Sequence, residues 1–190
     1  MTLSNLSPAV LILIAGLILL AGVVLWMYMR HKRSETLRMK FGPEYDKAIS
    51  EHRDQRHAES ELEKRTKRVA TFNIHPLRTE DRLRFVEEWR REQSRFVDDP
   101  RAAVEHADSL VQEVMVSRGY PVSDFEQNAN DLSVDHPLVV ENYRSAHQIA
   151  IRDSQGQSNT EDLRKAMVSY RALFEDLLGQ TVEKPQEVRK

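Results

Sequence analysis

No charged side chain occurs between Thr2 and Met29, and Arg30-His31-Lys32-Arg33 follows at once. That edge constrains the chain more than any other feature. Pro8–Met29 holds 22 almost wholly apolar residues, about 33 Å of helix at about 1.5 Å per residue, enough to cross a bilayer. Twelve of them are Leu, Ile or Val, each favouring insertion by roughly 0.3–0.6 kcal/mol, so the segment inserts by about 5 kcal/mol. Trp26 and Tyr28 fall at one expected interface. Arg30, Lys32 and Arg33 lie just beyond it and, by the positive-inside rule, hold the rest of the chain in the cytoplasm with the N-terminus outside. A cleaved secretory signal fits less well. No Lys or Arg precedes the run, the run exceeds the roughly 7–15 residues of a signal core, and its flank is Trp-Met-Tyr-Met-Arg. Residues 1–29 are therefore expected to be an uncleaved, single-pass membrane anchor.

The roughly 160 residues beyond the anchor suffice for one modest domain and a connector. There is no cysteine, which removes thiol catalysis, iron–sulfur clusters and cysteine-ligated zinc. Charge is uneven along the chain. Residues 30–78 carry 13 basic and 8 acidic side chains, whereas residues 79–179 carry 12 basic and 20 acidic ones. A basic stalk thus bears an acidic domain, which would repel phosphates, so no nucleic-acid partner is expected. Lys64-Arg65-Thr66-Lys67-Arg68 does not change this. Glu59, Glu61 and Glu63 precede it on the same expected helix, which reads as a solvated, salt-bridged face. Nearer the anchor, Arg30, Lys32, Arg33, Arg38 and Lys40 either only set topology or lie against anionic lipid headgroups.

Phe41-Gly42-Pro43 breaks the stalk, and Pro43 suits the first turn of a new helix. From Glu44 to Arg68, 14 of 25 residues are charged, half of each sign, and apolar positions are sparse (Tyr45, Ala48, Ile49, Ala58, Leu62). With no stripe and no sustained heptad seam, this segment reads as a helical spacer, at most a weak coiled coil. Phe72-Asn73-Ile74-His75-Pro76-Leu77 completes the stalk and connector over residues 30–78, with its apolar members docked on the C-terminal domain.

Residues 79–179 read as a compact bundle of five helices. Thr79 caps the first, with Leu83, Val86, Trp89, Phe96 and Val97 inward. Asp99-Pro100 opens the second, whose stripe is Val104, Ala107, Leu110, Val111, Val114 and Met115 and whose end is Gly119. Ser123-Asp124-Phe125-Glu126 forms a capping box for the third, with Phe125, Ala129 and Leu132 inward. Asp135-His136-Pro137 starts the fourth, with Val140, Tyr143, His147, Ala150 and Ile151 on one face. Thr160 caps the fifth, which carries Leu163, Ala166, Met167, Tyr170, Phe174, Leu177 and Leu178 and closes at Gly179. No segment alternates like a strand, so the expected fold class is all-α. Residues 180–190 are polar and interrupted by proline, and read as a flexible tail.

The six glycines are scattered singly, so there is no phosphate-cradling loop or dinucleotide fingerprint. His-Glu-x-x-His, paired Glu-x-x-His and Gly-x-Ser-x-Gly motifs are absent. No cofactor, metal or catalytic residue is assigned. One constellation stands out as a binding site: Asp135, His136, Glu141, Tyr143, Arg144 and His147. A carboxylate beside an imidazole can orient a general base, and Arg144 can hold an anion. Capping and packing offer the plainer account. Asp135 or Ser133 suits an N-cap, Pro137 a first turn, and His147 a core position four residues after Tyr143. His136 and His147, about 16 Å apart along one helix, are too distant to share a metal.

From Asn73 to Leu178 the chain resembles a family of bacterial single-pass membrane proteins with a C-terminal helical domain. The segments that carry the resemblance are Ile74-His75-Pro76-Leu77, Arg95-Phe96-Val97-Asp98-Asp99-Pro100, Arg118-Gly119-Tyr120-Pro121-Val122, Asp124-Phe125-Glu126, Ser133-Val134-Asp135-His136-Pro137 and Glu141-Asn142-Tyr143-Arg144. Thr160-Glu161-Asp162-Leu163-Arg164 and Tyr170-Arg171-Ala172-Leu173-Phe174 complete it. The resemblance implies a bacterial inner-membrane location and one recurring domain, and brings no activity, cofactor or catalytic residue. The expectation is a membrane-anchored interaction module, an adaptor or scaffold with a protein partner at the cytoplasmic face. The alternative is a membrane-tethered enzyme or small-molecule sensor using Asp135–His147.

Overall fold

Helix-forming residues run without a break from Pro8 to Phe41, and the first helix, α1, covers that whole span. A computed structural model describes residues 8–52 and 54–179, with side chains from residue 14 onward, Ala15 excepted. The expected tail over 180–190 lies outside the described residues. Among the described residues there are eight helices and no strand, so the chain is all-α. They are α1 (Pro8–Phe41), α2 (Pro43–His52), α3 (Gln55–Val69), α4 (Thr79–Arg95), α5 (Pro100–Ser117), α6 (Phe125–Asp135), α7 (Val140–Ser154) and α8 (Thr160–Leu177). The chain divides into two units, residues 1–40 and 41–190.

In the first unit, consecutive side chains from Leu17 to Leu20 and from Val23 to Met29 are exposed, so α1 presents apolar surface on every face. Among the described residues no helix is long and apolar enough to cross a membrane. The early part of the apolar run, residues 8–13 and Ala15, has its side chains outside the described set.

The second unit begins at Phe41, not at Thr79 as the apolar pattern suggests, and contains α2 to α8. α8 packs on α5 and α7, α4 covers α5, and α6 bridges α3 and α7. The spacer expected over Glu44–Arg68 is part of this unit. α2 and α3 pack on each other, and α3 packs on α6. Phe41, Tyr45, Ala48, Ala58, Leu62 and Val69 are buried. Of the charged residues in this stretch, Glu44 and Glu59 are buried too, Glu44 in an ion pair with Arg144 and Glu59 in hydrogen bonds with Tyr45 and Gln55.

The stripes of α5 and α8 form the centre of the core. Val104, Ala107, Leu110, Val111, Val114 and Met115 of α5 are buried against Leu163, Ala166, Tyr170, Leu173 and Leu177 of α8. On α4 the inner face is Phe85 and Trp89, and Leu83 and Val97 point to solvent. Trp89 decides this by stacking on Phe174 at 4.7 Å, worth about 1 kcal/mol beyond its burial. Phe85, one turn back, shares its side of the helix, and Leu83 does not.

Several ends differ from the expected caps. α8 is capped by Asn159, not Thr160, in a capping box with Asp162 (3.0 and 3.3 Å). Asp124 alone caps α6 by accepting from the Gln127 amide at 2.9 Å, while the Ser123 amide donates to Asn128. Arg78 precedes α4 without a side-chain cap, and Thr79 is already inside the helix. Ser133 and Asp135 end α6, so neither caps a following helix. Pro137 disfavours helical geometry at His136 (φ −126°, ψ 46°), and α7 starts only at Val140. His136 and His147 therefore do not share a helix.

Asp99 and Pro100 open α5 as expected, with Asp99 accepting from the Ala102 amide at 3.1 Å. The helix closes on Gly119 at φ +91°. The Tyr120 amide donates to the Met115 carbonyl and the Gly119 amide to the Val116 carbonyl, which is a Schellman closure. The connector folds back on this turn, its His75 amide donating to the Arg118 carbonyl at 3.0 Å. Phe72, Ile74 and Leu77 pack against the core. A Cβ on Gly119 would stand 2.2 Å from the Asn73 carbonyl oxygen, so both the backbone angle and the space demand glycine. Gly119→Ala should cost about 3 kcal/mol and lower the melting temperature of the full-length protein in detergent by roughly 10 °C. Gly156→Ala, also at positive φ (+70°) but with no atom within 4 Å of its Cβ, should cost only about 1 kcal/mol. Equal losses at the two sites would refute the clash with the connector.

Tyr120, Tyr143 and Tyr170 are buried in the same core. Burial holds all three phenols above their ordinary value, helped by Asp135 at Tyr120 and by the Asp108 carboxylate at Tyr143 and Tyr170. The folded state keeps these protons where the unfolded chain releases them, near pH 10. Stability is then full below about pH 10 and falls as pH rises above it. Urea midpoints measured between about pH 8 and about pH 11 should decline only in the upper part of that range, and phenolate absorbance from these residues should emerge together with unfolding. A flat midpoint would contradict the burial of these hydroxyls.

Candidate functional site

The C-terminal ends of α5, α6 and α8 meet, which brings three sets of unpaired carbonyls and the negative ends of three helix dipoles together. Arg118, just past α5, answers them. Its Nη1 donates to the Leu177 carbonyl at 3.0 Å and stands 3.4 Å from His136 Nε2. His136 Nδ1 pairs with the Asp176 carboxylate, both side chains being nearly buried. Beside them the Tyr120 hydroxyl donates to Asp135 Oδ2 at 2.8 Å.

A second cluster joins α2, α3 and α7. Glu44, only 3 % exposed, receives both terminal nitrogens of Arg144, with Nη2 to Oε2 at 3.1 Å. Arg65 Nη1 lies 3.9 Å from the same carboxylate. At the rim Glu141 accepts from Lys47 at 3.0 Å and lies 3.6 Å from Arg144. Burial alone would lower the basicity of Arg144, but the hydrogen bonds and charge of Glu44 outweigh it and hold the group above its ordinary value. Arg65 moves the other way, lowered chiefly by burial and also by Arg144, against the pull of Glu44. The carboxylate therefore belongs to Arg144.

The six expected site residues thus fall into different surroundings. Asp135 and His136 sit at the meeting of helix ends, and Glu141 and Arg144 in the α2–α7 cluster. Tyr143 is in the core, 4.7 Å from the Phe125 ring and 6.3 Å from the Tyr170 ring. His147 stacks on Phe125 at 3.5 Å and 8°. A general base needs a ring nitrogen facing the reacting group, but His136 has Asp176 on one nitrogen and Arg118 beside the other. The arrangement works as a brace between helix ends. Among the described residues no group of three or more His, Asp or Glu is placed to hold a metal ion. Clefts of about 420 and 240 Å³ open between α4 and α5, and neither is lined by any residue from Asp135 to His147.

The expected interface residues lie along α1. Trp26 and Tyr28 are exposed, Lys32 and Arg33 are exposed, and the Arg30 guanidinium lies over the Trp26 ring at 5.6 Å. Sequence reading missed Arg118, Tyr120 and Asp176, and also Glu44 and Arg65. Only the Arg118-Gly119-Tyr120 turn carried a local signal, its glycine. Glu44 lies 100 positions from Arg144, and no short-range pattern links them. No family profile, curated protein or solved structure matches the chain.

Removing one partner of a buried ion pair strands the other charge, at a cost of about 3 kcal/mol or more. Glu44→Leu alone should destabilise the protein by about that much, and Arg144→Met alone by a similar amount. The Glu44→Leu, Arg144→Met double variant should recover most of the loss. Additive losses in a urea-unfolding double-mutant cycle would refute the pairing.

Proposed function

We propose that this chain is a non-enzymatic helical interaction module, an adaptor or scaffold, anchored in the bacterial inner membrane by α1 with the rest of the chain in the cytoplasm. The observation that carries the reading is the surface of α1. From Leu17 to Met29 every residue is apolar or aromatic and exposed, and a helix apolar on all sides needs a non-aqueous environment. The described side chains of the run, Ile14 and residues 16–29, fall short of the roughly 20 residues of a span. The sequence extends the run to 22 residues. The cations from Arg30 onward favour cytoplasmic placement of the second unit.

The polar groups of the second unit support an interaction role over catalysis, because the candidate residues are engaged with other residues that hold the helices together. Exposed Leu83, Val97, Val116 and Leu138 offer apolar contacts to a partner protein. The enzyme or sensor reading requires Asp135 to His147 to face one cavity, and they face several environments.

Full-length protein tagged at its C-terminus should stay in the membrane pellet after alkaline carbonate extraction. The tag should survive protease added to intact spheroplasts and be digested after lysis. Release by carbonate would sink the anchor, and digestion in intact spheroplasts would sink the orientation. In-cell crosslinking should yield a partner that is lost on deleting residues 79–179. Metabolite turnover by the purified protein, with no such partner, would favour the enzyme.

A further inference from the structure

Just beyond its apolar surface, α1 changes to a cationic one. Arg30 is half-buried, and Lys32, Arg33, Arg38 and Lys40 are exposed. At about 100° per residue these five point to roughly 0°, 200°, 300°, 80° and 280° around the axis, so no gap between neighbours exceeds about 120°. The one acidic residue in this stretch is Glu35, whose Oε1 lies 3.3 Å from His31 Nε2. The cations form a collar rather than a stripe. A folded protein partner would approach such a helix from one side and meet only part of the charge. The headgroup layer of a bilayer surrounds the helix, so it meets cations on different sides together, those nearest the apolar surface most closely.

We infer that this collar is a binding surface for anionic phospholipid headgroups, selecting them around α1. The inference rests on the membrane-anchor reading above. Arg30 to Lys40 rise about 15 Å along the axis, with Arg30, Lys32 and Arg33 inside the first 5 Å or so. The first three are thus within a Debye length of the surface (about 8 Å), and the last two are further off. Side chains on a helix lean toward its N-terminus, which for these residues is back toward the apolar segment. Arg30 displays that lean, its guanidinium folded over Trp26 one turn earlier. The indole and the guanidinium then occupy the same headgroup depth, the ring toward the acyl boundary and the charge toward phosphate.

The test uses full-length protein reconstituted in phosphatidylcholine bilayers containing brominated phosphatidylcholine or brominated phosphatidylglycerol, with Trp26 fluorescence as the readout. A Trp26→Phe variant identifies the signal that belongs to Trp26. Phosphatidylglycerol should quench at about fivefold lower mole fraction than phosphatidylcholine at low salt, the advantage shrinking as salt rises. Changing Arg30, Lys32, Arg33, Arg38 and Lys40 together to glutamine should bring the two lipids level. Changing Arg30, Arg33 and Arg38 to lysine keeps every charge and should keep the preference. Equal quenching of the unaltered protein by both lipids would overturn the collar and leave the anchor standing. No quenching by either would overturn the anchor and the collar with it. Loss of the preference in sodium phosphate, but not in sodium chloride of equal ionic strength, would identify free phosphate as the ligand and overturn the lipid assignment.

Discussion

The buried pair between Glu44 and Arg144 decides where the second unit begins. A carboxylate and a guanidinium taken out of water each lose several kcal/mol of hydration, and only close pairing offsets this. The bidentate contact supplies that pairing and can form only when α2 lies against α7. Arg68 does the same for α3, its Nε meeting both oxygens of the fully buried Asp131 on α6, at 3.0 and 3.3 Å. Gln127 adds a third contact to Asp131 at 2.8 Å. Within α2 and α3, Glu59 accepts from Tyr45 and from Gln55, each at 2.8 Å. Buried pairs of this kind add little net stability, but they penalise every wrong register heavily. The α2–α3 hairpin is therefore positioned by charged pairs as well as by its buried Tyr45, Ala48, Ala58, Leu62 and Val69, while α4 to α8 are positioned chiefly by apolar contact.

That division explains what could be read from the sequence. α5 and α8 were legible because their inward faces are apolar at helical spacing and their neighbours in space are apolar too. Asp99, Pro100 and Gly119 act through local backbone geometry, so a few adjacent residues suffice to recognise them. α2 and α3 were not legible, since seven acidic and seven basic residues between Glu44 and Arg68 look solvated unless their partners are known. Those partners, Asp131 and Arg144, are supplied from far along the chain. On α4 the choice between Leu83 and Phe85 depended on Trp89 finding Phe174, a tertiary contact. The caps at Asn159 and Asp124 each lay one residue from the expected position, within the usual uncertainty of helix ends.

The six candidate residues sit in separate surroundings for a geometric reason. Asp135, His136, Glu141, Tyr143, Arg144 and His147 are close in sequence, and on a single helix some would share a face. The proline at 137 instead splits them between the end of α6 and the body of α7. His136 turns toward α8, Arg144 toward α2, and His147 lies flat on Phe125. In the structure Asp135, His136 and Arg144 each pair with a residue of another segment. The densest set of contacts, around Arg118, meets a need created by the fold itself, because three helices end together and their carbonyls require donors.

The two units differ in the solvent they suit. In the second, Trp89, Phe85 and the three core tyrosines are covered, and exposed apolar residues such as Leu83 and Leu138 stand out as single exceptions. In the first, exposed apolar residues follow one another without a break from Leu17 to Leu20 and again from Val23 to Met29. Water does not tolerate so continuous an apolar surface on a monomer, since at about 25 cal/mol per Å² even a few hundred Å² of it carries several kcal/mol of drive toward burial. Something must cover it. A second protein would cover one side, as coiled-coil seams do, and would call for an apolar stripe opposite a polar one. α1 has no such asymmetry in its apolar part, and past Met29 its exposed cations Lys32, Arg33, Arg38 and Lys40 still lie on different sides of the helix, with Leu37 covered between them. The proposed membrane setting, a medium that encloses the helix and is first apolar and then anionic, is the reading this pattern supports.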